Sequence, residues 1–317
     1  FQSNFGLSAT AAGNLNGDGY DDYIVGAPSY GDFATGRAYI FFGSQNPDTI
    51  PDITINGHDT LGWFGYSVCG GQDLNADGYD DIVIGAPEYN ASRGRIYVYY
   101  GGSPMDTIAD VIMTGTAAGY RYGHSTGFGG DMNGDGYPEL LVGAIGALNS
   151  RGYVYLYYGN ISFDTVQDFT YSGTSSGDNL GASISHAGDF NGDGFSDAVF
   201  GMPGYQSYSG RVYIVFGQSM SLRSVNSVVS NGGFGYDVSG AGDVNKDGYS
   251  DFIVGAPYAV EGEAYIFYGG ADPDFLPDVT FYAAENNFGY SVSGAGDVNN
   301  DGFGDVIVGE RYYGSNF

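Results

Sequence analysis

Six times in 317 residues the chain repeats one nine-residue acidic stretch, and this constrains its fold more than any other feature. The clearest copy is D-V-N-K-D-G-Y-S-D at 243–251, where Asp243, Asn245, Asp247 and Asp251 hold positions 1, 3, 5 and 9. Alternate side chains can point inward, Gly248 at position 6 permits a sharp turn, and the Tyr249 carbonyl at position 7 adds an oxygen. That is how a short loop wraps a hard cation, and calcium is expected, up to six ions.

The other copies supply the same candidate ligands. They are Asn14, Asn16, Asp18, Tyr20 and Asp22 in the first, and Asp73, Asn75, Asp77, Tyr79 and Asp81 in the second. Asp131, Asn133, Asp135, Tyr137 and Glu139 form the third, and Asp189, Asn191, Asp193, Phe195 and Asp197 the fourth. The sixth has Asp297, Asn299, Asp301, Phe303 and Asp305. An EF-hand would place a bidentate Glu at position 12 between helices. Here the last acid falls at position 9 and a β-branched run follows, so each loop is expected to join two strands. D-G and N-G pairs also make ordinary turns, but six copies in fixed register exceed that explanation. The first copy, with Asn14 and Asn16 in place of acids, is expected to bind most weakly.

The acidity of the chain has the same source. Nine Lys and Arg stand against 37 Asp and Glu, a net charge of −28, and 17 of those acids lie at ligand positions. Six Ca²⁺ ions would carry 12 positive charges and take −28 to −16. Such a charge argues against nucleic acid and anionic membrane surfaces as partners, and no apolar run reaches transmembrane length. Cys69 is the sole cysteine, so an intrachain disulfide is excluded, and a small core residue is expected there.

Aligned on the acidic loop, each unit yields four strand-like segments. The first opens on an aromatic or leucine followed by glycine, at 5, 64, 122, 180, 234 and 288, with intervals of 59, 58, 58, 54 and 54. The second follows the loop and ends in Gly-Ala-Pro at 26–28, 85–87 and 255–257, loosened to Gly-Ala-Ile at 143–145 and Gly-Met-Pro at 201–203. The third runs from a glycine into an aromatic strand, as in G-R-A-Y-I-F-F-G at 36–43. The fourth is weaker and usually follows an acid pair, such as Asp106 and Asp110. Short strands, turns every ten to fifteen residues and no helical period predict antiparallel sheets. Four strands per repeat predict an all-β β-propeller of four-stranded blades, read as one domain over 1–317. The sixth unit departs from the pattern after Val308-Gly309, reading E-R-Y-Y-G-S-N-F. About 22 strands are therefore expected, leaving a six- or seven-bladed ring open.

The string F-G…G-D-x-N-x-D-G-x-x-D…V-G-A-P…G-x-x-Y-x-x-x-G resembles the FG-GAP repeat, which builds the propeller of integrin α subunits and of bacterial surface proteins. The resemblance spans essentially the whole chain. It implies calcium in the loop between first and second strands, an extracellular or cell-surface setting, and a ligand-binding face at the opposite edge. On that edge Trp63, the sole tryptophan, and Tyr30, Tyr89, Arg93, Tyr205 and Tyr258 are candidates for contacting a protein or glycan. Asn90 and Asn160 match the N-glycosylation acceptor pattern. His58, His124 and His186 fall at different places in different units, so no enzyme is expected. Two functions remain: a binding or adhesion module, or a filament or sheath subunit whose incomplete sixth blade a neighbouring copy completes.

Overall fold

A strand buried on both faces cannot alternate apolar and polar residues, and the second strand of each repeat does not. In Asp81–Ala86 every residue is buried. Ile82 and Ile84 enter one apolar cluster with Ile24, Ile40 and Phe64, while Val83 points the other way into a cluster with Leu140 and Val142. This sandwiching builds a stack of sheets. Each fully buried Ile or Val contributes about 1.5–3 kcal/mol.

The computed structural model describes residues 3–283 and 287–311. They form 22 strands in six antiparallel sheets, each in simple up-and-down order, the β-propeller architecture. The chain divides into two compact units, residues 1–128 with 137–171, and residues 129–136 with 172–317. In the first unit, blade one comprises Ala9–Gly13, Asp22–Ala27, Arg37–Phe41 and Ile53–Asn56. Blade two comprises Ser67–Gln72, Asp81–Ala86, Arg95–Tyr99 and Val111–Thr114. Blade three runs from Tyr122–Phe128 through Leu140–Ala144 and Tyr153–Tyr157 to Phe169–Ser172. In the second unit, blade four comprises Ile184–Gly188, Asp197–Met202, Arg211–Phe216 and Ser221–Asn226. Blade five comprises Val238–Gly242, Asp251–Ala256, Glu263–Phe267 and Val279–Tyr282. Blade six has two strands among the described residues, Phe288–Gly296 and Asp305–Glu310. Residues 312–317, where the sixth unit's departure continues, lie outside the described residues.

The two glycine motifs that frame each repeat meet at the seam between blades. An added Cβ on Gly26, Gly85, Gly201 or Gly255 would sit 2.0–2.2 Å from the carbonyl oxygen of Gly65, Gly123, Gly235 or Gly289 in the following blade. Only glycine permits that approach. Within its own blade the Phe-Gly amide also donates to the Gly-Ala-Pro glycine, as in Gly65 N–H to the Gly85 carbonyl at 3.0 Å. The aromatic of the pair packs edge-on against the third-strand tyrosine: Phe64 on Tyr97 at 5.1 Å, and Phe234 on Tyr265 at 5.6 Å.

Blade six differs. Ile307 is 62% exposed, whereas Ile24, Val83, Leu141, Val199 and Ile253 at the same position are fully buried. Val298 is 73% exposed, against zero for Leu15, Leu74, Met132 and Phe190.

Candidate functional site: six acidic loops and the opposite edge

Each acidic loop turns back from the first strand into the second, joining a hairpin as expected, and in blades one, two, four, five and six it follows a bulge in the first strand. Position 1 carboxylates accept the amides of positions 5 and 6. Asp73 takes Asp77 N–H at 3.1 Å and Gly78 N–H at 2.8 Å, and Asp131, Asp189, Asp243 and Asp297 repeat this. The position 3 Asn accepts the position 5 amide through Oδ1 and donates through Nδ2 to the position 5 carboxylate, as Asn245 does to Asp247 at 2.8 Å. In the first copy Asn14 accepts only Gly19 N–H, at 3.3 Å.

Position 9 is the most enclosed. Asp22, Asp81, Asp197 and Asp251 are buried, and each accepts two backbone amides. One comes from position 2, as Leu74 N–H to Asp81 Oδ2 at 2.7 Å, and the other from the glycine ending the third strand, as Gly101 N–H to Asp81 Oδ1 at 2.9 Å. Burial pushes the Asp81 and Asp197 carboxyls up to about 7 and Asp251 to about 6; the two amides oppose this, and the acids at positions 1 and 5 add to it. Glu139 is buried at the same position in the third copy.

The loops offer only oxygen ligands, with two or three carboxylates each, a donor set that suits a hard divalent cation. Their oxygens turn toward backbone amides, and among the described residues no three acidic, His or Cys side chains converge on one point. A cation would therefore draw the side chains of positions 1, 3 and 5 inward from those amides.

The loops are also linked to one another, which spacing alone did not reveal. The position 8 amide donates to the position 1 carbonyl of the preceding loop: Asp80 to Asn14 at 3.4 Å, Ser196 to Asp131 and Ser250 to Asp189 at 3.1 Å, Gly304 to Asp243 at 2.8 Å. The position 7 ring covers position 4 of the preceding loop, so a Cβ on Gly17 or Gly192 would meet Tyr79 or Tyr249 at 2.6 or 2.3 Å. At the fifth loop Lys246 Nζ lies 4.9 Å from the Phe303 ring centre instead.

The acid pairs are hairpin staples. Asp110 accepts Tyr100 N–H at 2.8 Å and Asp106 accepts Ile108 N–H at 2.7 Å, with counterparts in blades one, three and five.

At the opposite edge the candidates fall into two groups. Tyr30, Tyr89 and Tyr205 are half-buried beneath arginines, with the Arg37, Arg95 and Arg211 guanidinium carbons 3.7, 3.6 and 3.7 Å from their ring centres. Arg37 and Arg211 also bind Asn56 and Asn226 of the fourth strand. Each of these tyrosine rings is thus packed against an arginine. Trp63 is 36% exposed and stacks on Tyr66 at 5.8 Å, and Tyr258 is 47% exposed. Arg93 is half-buried, its Nε without a hydrogen-bond partner among the described residues. Asn90 is exposed, whereas Asn160 Oδ1 accepts Ser162 N–H at 2.8 Å within its own turn. His124 packs against Tyr66, and burial and then the Arg121 charge push its imidazole down to about 4. Cys69 is buried, its thiol pushed up to about 12 by burial. No described helix is long and apolar enough to cross a membrane.

The model of the FG-GAP repeat matches residues 5–41, 64–99, 234–267 and 288–316, and that of the FG-GAP-like repeat matches 131–200. The chain is 35% identical to integrin alpha-5 of Xenopus laevis over 158 residues, 45% of this chain and 15% of that protein. It is 32% identical to integrin alpha-V of Gallus gallus over 212 residues, 61% of this chain and 20% of that protein. The matches thus span a fifth or less of these relatives' length. Among solved structures, the Dos1 propeller aligns with 90% of this chain and 66% of its own at TM-score 0.48 and 12% identity.

Proposed function

We propose that this chain, which belongs to the FG-GAP repeat family, is a calcium-stabilised extracellular propeller over residues 1–317 that presents its upper loops to a protein or glycan partner. The observation that carries this is a division of labour within the blades. One edge repeats an oxygen-rich loop six times with little change, while the other varies from blade to blade and exposes Trp63 and Tyr258. Positions 1, 3, 5 and 9 and the position 7 carbonyl would hold each ion, and the ion would neutralise carboxylates that otherwise repel. Its contribution is to stability rather than chemistry.

Calcium at 100 times its dissociation constant adds about 2.7 kcal/mol per site, so chelation is expected to lower the melting temperature by well over 10 °C. Thermal melts in EGTA and in restored calcium check this; identical melts would remove the calcium claim. Plates coated with the chain, probed with purified matrix proteins and glycans in calcium and in EGTA, check the binding claim.

One observation favours the second reading, a surface subunit that pairs with its neighbours. Among the described residues Asp305 receives only the Val298 amide, at 2.9 Å, where its counterparts also receive a third-strand glycine. With Ile307 exposed beside it, the edge is fitted to an incoming strand. A concentration-dependent mass in light scattering supports this reading, and a constant monomer mass removes it.

A further inference from the structure

At the upper edge of blade four, the turn after the second strand meets the start of the third and the end of the fourth around a cavity of about 310 Å³. Tyr205, Gln206, Ser209, Arg211, Asn226 and Ser227 line it. Two departures from the repeat account for it. Ser209 stands where blades two and three carry Arg93 and Arg151, each half-buried with a buried Nε, so a short side chain replaces a long one. Ser227 stands where blades one to three carry Gly57, Gly115 and Gly173. Gly57 and Gly115 close the edge by donating N–H to the Gly36 and Gly94 carbonyls at 3.0 Å, and a Cβ on them would lie 2.1 or 2.3 Å from a carbonyl oxygen. Serine cannot take that path. Its hydroxyl donates to the Val229 carbonyl at 2.7 Å and accepts Val229 N–H at 3.1 Å, and its amide makes no closing bond among the described residues.

The one charge in the lining is Arg211. Its guanidinium is held on three sides: the carbon lies 3.7 Å from the Tyr205 ring centre, Nη2 donates to the Tyr205 hydroxyl at 2.6 Å, and Nε donates to Asn226 Oδ1 at 2.8 Å. Among the described residues Nη1 makes no hydrogen bond and Arg211 no ion pair. Blade two shows what suits that nitrogen. Arg95 holds the same position, stacked on Tyr89, and its Nη1 lies 3.5 Å from Asp59 Oδ2. In the segment leading into blade four Ser175 replaces that acid, and Asp178 accepts the Thr174 and Ser175 amides at 2.8 and 2.7 Å instead. A guanidinium already fixed in place takes a carboxylate at little further entropic cost. The remaining walls define the rest of the ligand. Ser209 Oγ, the Gln206 side-chain amide and Asn226 Nδ2 make no hydrogen bond among the described residues, and the Tyr205 ring is covered by Arg211. Such walls suit a hydroxylated ring rather than the apolar anchor of a protein partner, and the volume is at the small end of ligand pockets, about 300–1,000 Å³.

We propose that Arg211, with Ser209, Gln206 and Asn226 around it, binds a carboxylated sugar residue of a glycan, its carboxylate on Nη1 and its hydroxyls on the other three. This deepens the binding-module reading and rests on it. The full chain in calcium is titrated with methyl glucuronide and with methyl sialoside, and binding is followed by saturation-transfer NMR. Saturable binding of at least one is expected, at least about tenfold tighter than that of its uncharged amide and weakened by salt. Ser209→Arg fills the cavity with the residue that blades two and three carry, and adds a positive charge. It is expected to weaken binding at least about tenfold with the melting temperature unchanged, whereas charge attraction without a cavity would strengthen binding. Arg211→Lys keeps the charge and loses the fork, and is expected to weaken binding about fivefold or more. Binding of neither sugar, equal binding of the amides, undiminished binding by either variant, or an end-blocked aspartate tripeptide bound as well as the sugars each overturns the proposal. If the chain ignores both sugars yet captures a matrix protein or another glycan in calcium, the cavity alone fails; if it captures nothing, the module reading fails with it.

Discussion

The lower and upper edges of the blades obey opposite rules. Along the lower edge, position after position repeats: the same carboxylates accept the same amides, and position 9 is buried in copy after copy. Along the upper edge the backbone repeats but the side chains do not. The residue before each Phe-Gly pair is left-handed in all six units, yet it is Asn4, Trp63, Arg121, Asn179, Gly233 and Asn287 in turn. Where backbone and side chain repeat together, the fold requires them. Where only the backbone repeats, the side chain is free to serve something else.

The largest effect is expected at the seam, where repetition comes from contact between blades. Gly85→Ala would place a Cβ 2.2 Å from the Gly123 carbonyl oxygen, and a loss of about 3 kcal/mol or more is expected in urea unfolding. A loss under 1 kcal/mol would mean the seam is not what holds the glycine. A smaller effect is expected at His124, which occupies the place held by Tyr66, Tyr236 and Tyr290 in other blades. Its folded pKa of about 4 lies below the ordinary value of 6.5, so the unfolded chain binds more protons between these values. The stability it supports is complete above pH 6.5 and falls as the pH drops toward 4, by at most about 2 kcal/mol at pH 5. His124→Tyr is expected to remove that component of the stability–pH profile; an unchanged profile would place the titration elsewhere. The smallest effect belongs to the lower edge. Asn14→Asp restores the missing carboxylate of the first loop, with an expected gain of about 1 kcal/mol or less in calcium affinity because Asp80 lies against the Asn14 amide at 2.7 Å. Isothermal titration, site by site, measures it.

Much of this was legible in the sequence. The count of 22 strands, the hairpin at each acidic loop and the four-strand order follow from period and turn chemistry. The seam was visible only as repeated glycines, because spacing does not reveal which carbonyl a missing Cβ makes room for. Tyr30, Tyr89 and Tyr205 are candidates for contact from the sequence, and each is stacked against an arginine six or seven residues later. That pairing was present in the sequence: blade three lacks both partners, with Ala147 and Tyr153 in their places. Position 9 was assigned as a ligand, and its two amide partners come from 7 residues upstream and about 20 downstream, beyond what the loop itself could show.

The amide links between acidic loops have a consequence for how the lower rim responds to stress. Each link needs an N–H at position 8, and the third loop has Pro138 there, which has none. The rim is therefore two interlocked runs, loops one and two, then loops three to six. Within a run each loop meets its neighbour through that peptide group as well as through ring and backbone contacts, and at the proline the peptide link is missing. Calcium titrations would then show two cooperative groups of sites, the smaller containing the weakened first loop.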